Sequence, residues 1–123
     1  PVTKAANATR RQRHRAGKRA EWLALFYLMS KGYTPVAWRY KTPMGEIDLI
    51  ARRGKTLVFV EVKARAKRDD AAFAIHAKNQ SRVVNAARAF LSTHPNYVGW
   101  NMRFDAIIIS WYRWPHHITH AFE

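Results

Sequence analysis

A chain of 123 residues, 48% of them hydrophobic, can enclose one core without staples, and the absence of cysteine excludes a disulfide framework or a thiolate zinc site. Lys and Arg number 22 against 8 Asp and Glu, a formal charge of +14 that points to a polyanionic partner, nucleic acid ahead of an anionic membrane or an acidic protein. No apolar run approaches a membrane span, no signal-peptide core appears and no basic amphipathic helix has a strong lipid-facing edge, so a soluble, cytoplasmic protein without membrane contact is expected.

Residues 1–19 hold Lys4, Arg10, Arg11, Arg13, Arg15, Lys18 and Arg19 with no acid and almost no large apolar side chain, too little to bury for independent order. They are expected to form a flexible basic arm, either a solvated tail or a grip on phosphates that ignores sequence. An organelle transit peptide has a similar Arg-rich, acid-free composition and ranks below these. Residues 20–123 are expected to form a single domain.

From Ala20 to Lys31 the run AEWLALFYLMSK consists of helix formers, and Gly32 stands where a left-handed cap is expected. The run is apolar on most sides, which predicts burial against a sheet. Glu21 shares a face with Leu25 and Leu28. It either stabilises the helix dipole from the first turn or leans over the following strands as an outer ligand.

Thr34 to Lys41 alternates Val36, Trp38 and Tyr40 with Ala37, Arg39 and Lys41, a strand leading into a turn at Pro43-Met44-Gly45. Arg39 and Lys41 either line a phosphate path or face water. Next comes the stretch that organises the chain, GEIDLIARRGKTLVFVEVKAR over Gly45 to Arg65, two strands joined by a tight turn at Arg53-Gly54. A loop of two or four residues sets Ile50 opposite Leu57, Asp48 opposite Phe59 and Glu46 opposite Glu61. Glu46, Asp48, Glu61 and Lys63 then share one face, while Ile47, Leu49, Val58, Val60 and Val62 make an apolar surface on the other. Those four include three of the chain's 8 acids.

Carboxylates about 7–8 Å apart repel unless a cation lies between them. Hard oxygen ligands beside an ammonium are what Mg²⁺-assisted phosphodiester hydrolysis requires: Asp48 and Glu61 to hold the ion, Lys63 to orient the nucleophile or offset developing charge. The bland alternative is a solvated polar face with Glu61 and Lys63 loosely paired.

Ala64 to Ala72 is a polar loop whose lysine and arginines, Arg65 among them, can meet nucleic acid. A helix follows from about His76 to Leu91, with Val83, Val84, Ala87, Phe90 and Leu91 as its buried stripe and Lys78, Arg82 and Arg88 on the flank. Gln80 extends the stripe and either borders the core or hydrogen-bonds substrate phosphate or the acidic pair. Arg103 to Ser110, RFDAIIIS, is a buried strand, with Asp105 pairing to Arg103 or a backbone donor. His116, His117 and His120 do not form a metal site, because neighbouring residues of a strand point to opposite faces. Trp111, Tyr112 and Trp114 are core residues or a stacking surface for unpaired bases, core being the commoner use.

GEIDLIA followed by LVFVEVKAR, with AEWLALFYLMSKGY upstream and KNQSRVVNAARAFL, RFDAIII and the final HAF downstream, resembles the signature of the YraN family. These small bacterial proteins are placed among the PD-(D/E)xK nuclease-like folds, near the archaeal-type Holliday-junction resolvases. The resemblance covers nearly everything after residue 18 and implies an α/β, restriction-endonuclease-like fold: a central mixed β-sheet flanked by helices in the order α-β-β-β-α-β-β. It implies Asp48, Glu61 and Lys63 at the active-site positions and Glu21 as an added helix-borne acid. The proline of the superfamily name is absent, since Ile47 precedes Asp48.

The expectation is therefore a Mg²⁺- or Mn²⁺-dependent endonuclease acting on DNA, branched or otherwise non-standard. Asp48, Glu61, the Val62 carbonyl and Glu21 are the candidate metal ligands, Lys63 positions the water and Gln80 supports. Arg39, Lys41, Arg65, Lys78 and Arg82 are expected to contact nucleic acid, and a homodimer would suit a two-strand cut. The alternatives are a non-catalytic basic binder of DNA or structured RNA on the same fold, and an interaction protein that recruits a partner through apolar surface.

Overall fold

The computed structural model describes residues 18–64, 77–110 and 113–122, with side chains described from residue 80 onward in the second helix. The described part of helix α1 covers residues 18–30, so it already includes the last two residues of the expected arm. Strands β1 (Thr34–Thr42), β2 (Gly45–Arg53) and β3 (Thr56–Ala64) follow, then helix α2 (Ala77–Thr93), a 3-10 turn at Pro95–Tyr97, and strands β4 (Asn101–Ile109) and β5 (His116–Ile118). The strands form one mixed five-stranded sheet in sequence order. β1 to β3 are an antiparallel meander, β4 runs parallel to β3, and β5 returns antiparallel.

Both faces of the sheet are covered. Ala20, Ala24 and Leu28 of α1 pack on Leu49, Ala51, Val58, Val60, Ile107 and Ile109. On the other face Val83, Ala86, Ala87 and Phe90 of α2 close over Ile47, Ile50, Leu57 and Phe59. Burying both faces is what lets β4 carry three isoleucines without polar relief. Helix α1 is buried against the sheet along one side, where Ala20, Ala24 and Leu28 are enclosed and Leu25 and Tyr27 partly so, whereas Trp22, Leu23, Phe26 and Met29 stay exposed. Trp114 is not core, being 75% exposed.

The β2–β3 register also differs from expectation. Arg53 pairs with Thr56, so the loop is Gly54-Lys55, and Ile50 faces Phe59 rather than Leu57. Gly54, at φ +60°, takes the first central position of a two-residue turn, a place that demands glycine. The slip is two residues, an even number, so the side chains of the paired residues keep their faces and Asp48 moves from opposite Phe59 to alongside Glu61.

Between β1 and β2 the turn is Pro43-Met44. The Thr42 hydroxyl accepts the N–H groups of Met44 (3.1 Å) and Gly45 (3.0 Å) and donates to the Gly45 carbonyl (2.9 Å). A Cβ on Gly45 would lie 1.9 Å from the Arg82 carbonyl oxygen, so glycine is what lets this turn seat against α2.

At the far side of the sheet Asp105, fully buried, ties β4 to β5. Its carboxylate accepts two bonds from the Arg103 guanidinium (2.8 Å each), one from His117 (2.6 Å) and one from the His120 N–H (3.2 Å). Arg103 also donates to the Tyr33 hydroxyl. Burial alone would raise the Asp105 carboxyl, but its hydrogen bonds with His117 and Arg103 outweigh this and hold it below the usual carboxylate value. Among the tail histidines, His117 is thus occupied by Asp105 while His116 faces outward.

Candidate active site

The β2–β3 ladder ends at Leu49↔Val60. One residue further on, the strands fork, and the backbone donor that a ladder would use is taken by a side chain: the Val62 N–H donates to Asp48 Oδ2 at 2.8 Å. The pleat also breaks on the β1 side. Trp38 pairs with Leu49 and Tyr40 with Ile47, whereas Arg39 adopts a left-handed φ of +52° between them. That conformation costs a non-glycine residue free energy and is characteristic of functional sites. Ile47 accordingly packs with the α2 cluster instead of joining Leu49 under α1, a departure from strict alternation.

A pocket of about 280 Å³ opens at the fork, walled by Glu21 from α1, Glu46 and Asp48 from β2, Glu61, Val62 and Lys63 from β3 and Arg82 from α2. Lys63 Nζ lies 3.2 Å from Glu61 Oε1, with both side chains largely buried. Burial pushes the Asp48 carboxyl up from 3.8 to about 7, and the charge of Glu61 adds to the rise. The Val62 N–H and Lys63 pull it down but do not prevail. Four carboxylates, Glu21, Glu46, Asp48 and Glu61, thus share the pocket with two cations, Lys63 and Arg82.

Glu21 is held on the other side of this charge. One oxygen accepts Arg39 Nε (2.7 Å) and Trp38 Nε1 (2.9 Å), the second accepts Arg39 Nη2 (3.4 Å). The hydrogen bond to Glu21 raises the Arg39 guanidinium against the cost of its burial. A second concavity of about 230 Å³ adjoins the first, with Arg39 and Lys41 facing Glu21, Glu46 and Asp48.

Of the residues singled out in the sequence, Asp48, Glu61, Val62, Lys63, Glu21 and Arg82 line one pocket and Arg39 and Lys41 the next. Gln80, partly buried, is not in the lining of either. Arg65 and the Lys78 side chain lie outside the described residues. Sequence reasoning gave Glu46 no role, although its face was legible. It placed Arg82 on the helix flank, and nothing in the spacing signals the Glu21–Arg39–Trp38 contact across 17 and 18 residues.

The donor chemistry suits a hard divalent ion. Among the described residues no group of three or more His, Asp or Glu side chains is placed to hold a metal ion. Mg²⁺, however, keeps several waters and takes only one or two carboxylates, so Asp48, Glu61 and a backbone carbonyl such as that of Val62 are a sufficient protein contribution. An underneutralised carboxylate pair is the electrostatic condition that such an ion relieves.

The model of the Uncharacterised protein family UPF0102 matches residues 20–109. A UPF0102 protein of Methylorubrum extorquens is 53% identical over 94% of this chain and 91% of its own length. One from Rhodopseudomonas palustris (strain BisB18) is 48% identical over 100% and 91%, and one from Nitrobacter winogradskyi 50% identical over 88% and 92%. The matched span contains every residue of the pocket.

Proposed function

The chain belongs to the uncharacterised protein family UPF0102, and from that premise we propose that it is a divalent-metal-dependent endonuclease of the PD-(D/E)xK kind, hydrolysing DNA phosphodiester bonds at branched or other non-standard structures. The observation that carries this reading is the fork itself, where Asp48, Glu61 and Lys63 face one pocket and burial, with the charge of Glu61 adding to it, pushes the Asp48 carboxyl to about 7.

Mg²⁺ or Mn²⁺ would be held by Asp48, Glu61 and the Val62 carbonyl, and when bound it supplies Lewis-acid polarisation of the phosphate and easier deprotonation of water. Lys63, kept at the pocket by Glu61, positions the attacking water and offsets charge on the phosphoryl oxygens as the water oxygen bonds to phosphorus and the ester oxygen departs in line. Glu21 has its oxygens engaged by Arg39 and Trp38, so it acts as a wall that fixes Arg39 rather than as a principal ligand. Arg39, Lys41 and Arg82 draw the phosphate backbone across the opening without reading bases.

The test is a panel of branched, flapped and linear duplexes incubated with purified protein in Mg²⁺ or Mn²⁺. Cutting of at least one member, stopped by EDTA, is the expected result. Retention of every DNA without a cut in either metal would leave a non-catalytic binder of DNA or structured RNA.

A further inference from the structure

Helix α1 turns one side to the sheet, and much of its outward side is aromatic. Phe26 is 58% exposed, Trp22 47% and, where α1 meets β1, Trp38 44%. The three rings are contiguous: Trp22 lies 5.9 Å from Phe26 at an interplanar angle of 27° and 5.2 Å from Trp38 at 51°. Ring faces left in water over such a run mark a binding surface.

The rim says what fits there. Lys18 stands one helical turn before Trp22 on the same side and Arg19 beside it, both exposed. The Arg39 guanidinium lies 5.6 Å from the centre of the Trp38 ring. The neighbouring acid, Glu21, is already bonded to Trp38 and Arg39. A net charge of +14 opposes a second copy of the chain as the occupant. Apolar ring faces edged by cations match unpaired bases strung on phosphates. The bases of an intact duplex are stacked on one another and have no free face to offer. The surface is also joined to the pocket, because Trp38 Nε1 donates to Glu21, which lines it.

We infer that the Phe26–Trp22–Trp38 surface is a stacking platform for the unpaired bases of a nucleic acid strand, whose backbone then passes Arg39 toward the acidic pocket. The substrate class that follows is DNA with a single-stranded segment beside the bond to be cut, such as a flap or an opened fork, in preference to plain duplex. That last step rests on the nuclease reading; the capture of unpaired bases does not. Stacking on aromatic side chains tolerates any base, so the platform selects structure and not sequence.

The experiment uses the full chain in EDTA with fluorescein-labelled oligo(dT), a blunt duplex of equal length and the same duplex carrying a flap. Tryptophan fluorescence is quenched by oligo(dT) and by the flapped duplex. Trp22→Leu and Phe26→Leu keep apolar bulk but lose the ring; each weakens oligo(dT) and flap binding by about tenfold, leaves blunt-duplex affinity within about twofold, and melts like the parent. Trp22→Phe, which keeps a ring, retains most of the affinity. The inference is overturned if the leucine variants bind oligo(dT) as the parent does, or lose blunt duplex equally. It is overturned as well if their only effect is to dissociate a dimer in sedimentation, which would make the surface a contact between protein copies. A protein that cuts no DNA yet keeps this preference loses the nuclease reading and keeps the platform. One that cuts blunt duplex as well as flaps, with the leucine variants unimpaired, loses the platform alone.

Discussion

Asp48 holds its place in the fork at a cost in stability. Its folded value is raised from 3.8 to about 7, so the metal-free fold is disfavoured increasingly as pH rises from about 4 to 7, and fully above 7. The displacement corresponds to at most about 4 kcal/mol. Asp48→Asn keeps an oxygen for the Val62 N–H and removes the charge. In EDTA the variant is expected to melt higher than the parent at roughly pH 8, with the gain shrinking toward pH 5; equal melting at both would show that the carboxyl is not strained. The same linkage governs ion binding. Because a protonated carboxyl must lose its proton to become a ligand, Mn²⁺ affinity measured by calorimetry is expected to climb steeply up to pH about 7 and flatten beyond it. Little of this could be read from the sequence. Spacing put Asp48, Glu61 and Lys63 on one face, but the left-handed Arg39 and its bond to Glu21 arise from tertiary packing between α1 and β1, which no local pattern encodes.

Elements bring these residues together by a small number of tight contacts. The two-residue turn before β2 fits under α2 only because Gly45 has no side chain to strike the Arg82 carbonyl. Gly45→Ala is expected to lower stability by about 2 kcal/mol or more in urea unfolding, as backbone must shift to admit a methyl group. On the opposite flank the Asp105 knot holds β5 in place. Its depressed carboxyl contributes stability above the unfolded value near 4, and that contribution is lost as pH falls through the lower folded value. Asp105→Ala leaves Arg103 and His117 facing a void and is expected to cost roughly 3–5 kcal/mol, read as a large drop in melting temperature. A change of less than about 1 kcal/mol would show that the knot is dispensable. The meander was legible because alternation and glycine mark its strands and turns. Its register was two residues off because the turn begins with Gly54 instead of ending with it. The parity survived, and with it the grouping of charges. Helix α1 meets the sheet as its composition predicts, but apolar composition reports what a face is made of, not whether something covers it, and Trp22 and Phe26 stay exposed.

At the scale of the molecule, charge and shape divide the work. The chain carries a formal charge of +14 on 123 residues, and the acidic fork is a local exception within it. Affinity for blunt duplex is expected to fall by roughly a thousandfold between about 50 and 200 mM salt if it rests on phosphate contacts, whereas the stacking share of binding to unpaired strands persists. No helix among the described residues is long and apolar enough to cross a membrane. The matched family spans residues 20–109 and so takes in strands β1 to β4, helix α2 and nearly all of the described part of α1. The most direct measurement is single-turnover cleavage of a flapped duplex in Mn²⁺ by the parent, Asp48→Asn and Lys63→Ala, with binding of the same DNA recorded in Ca²⁺. The expected result is cutting by the parent alone, with all three binding within a few-fold of one another; cutting by either variant at the parental rate, or by none of the three, would contradict the account.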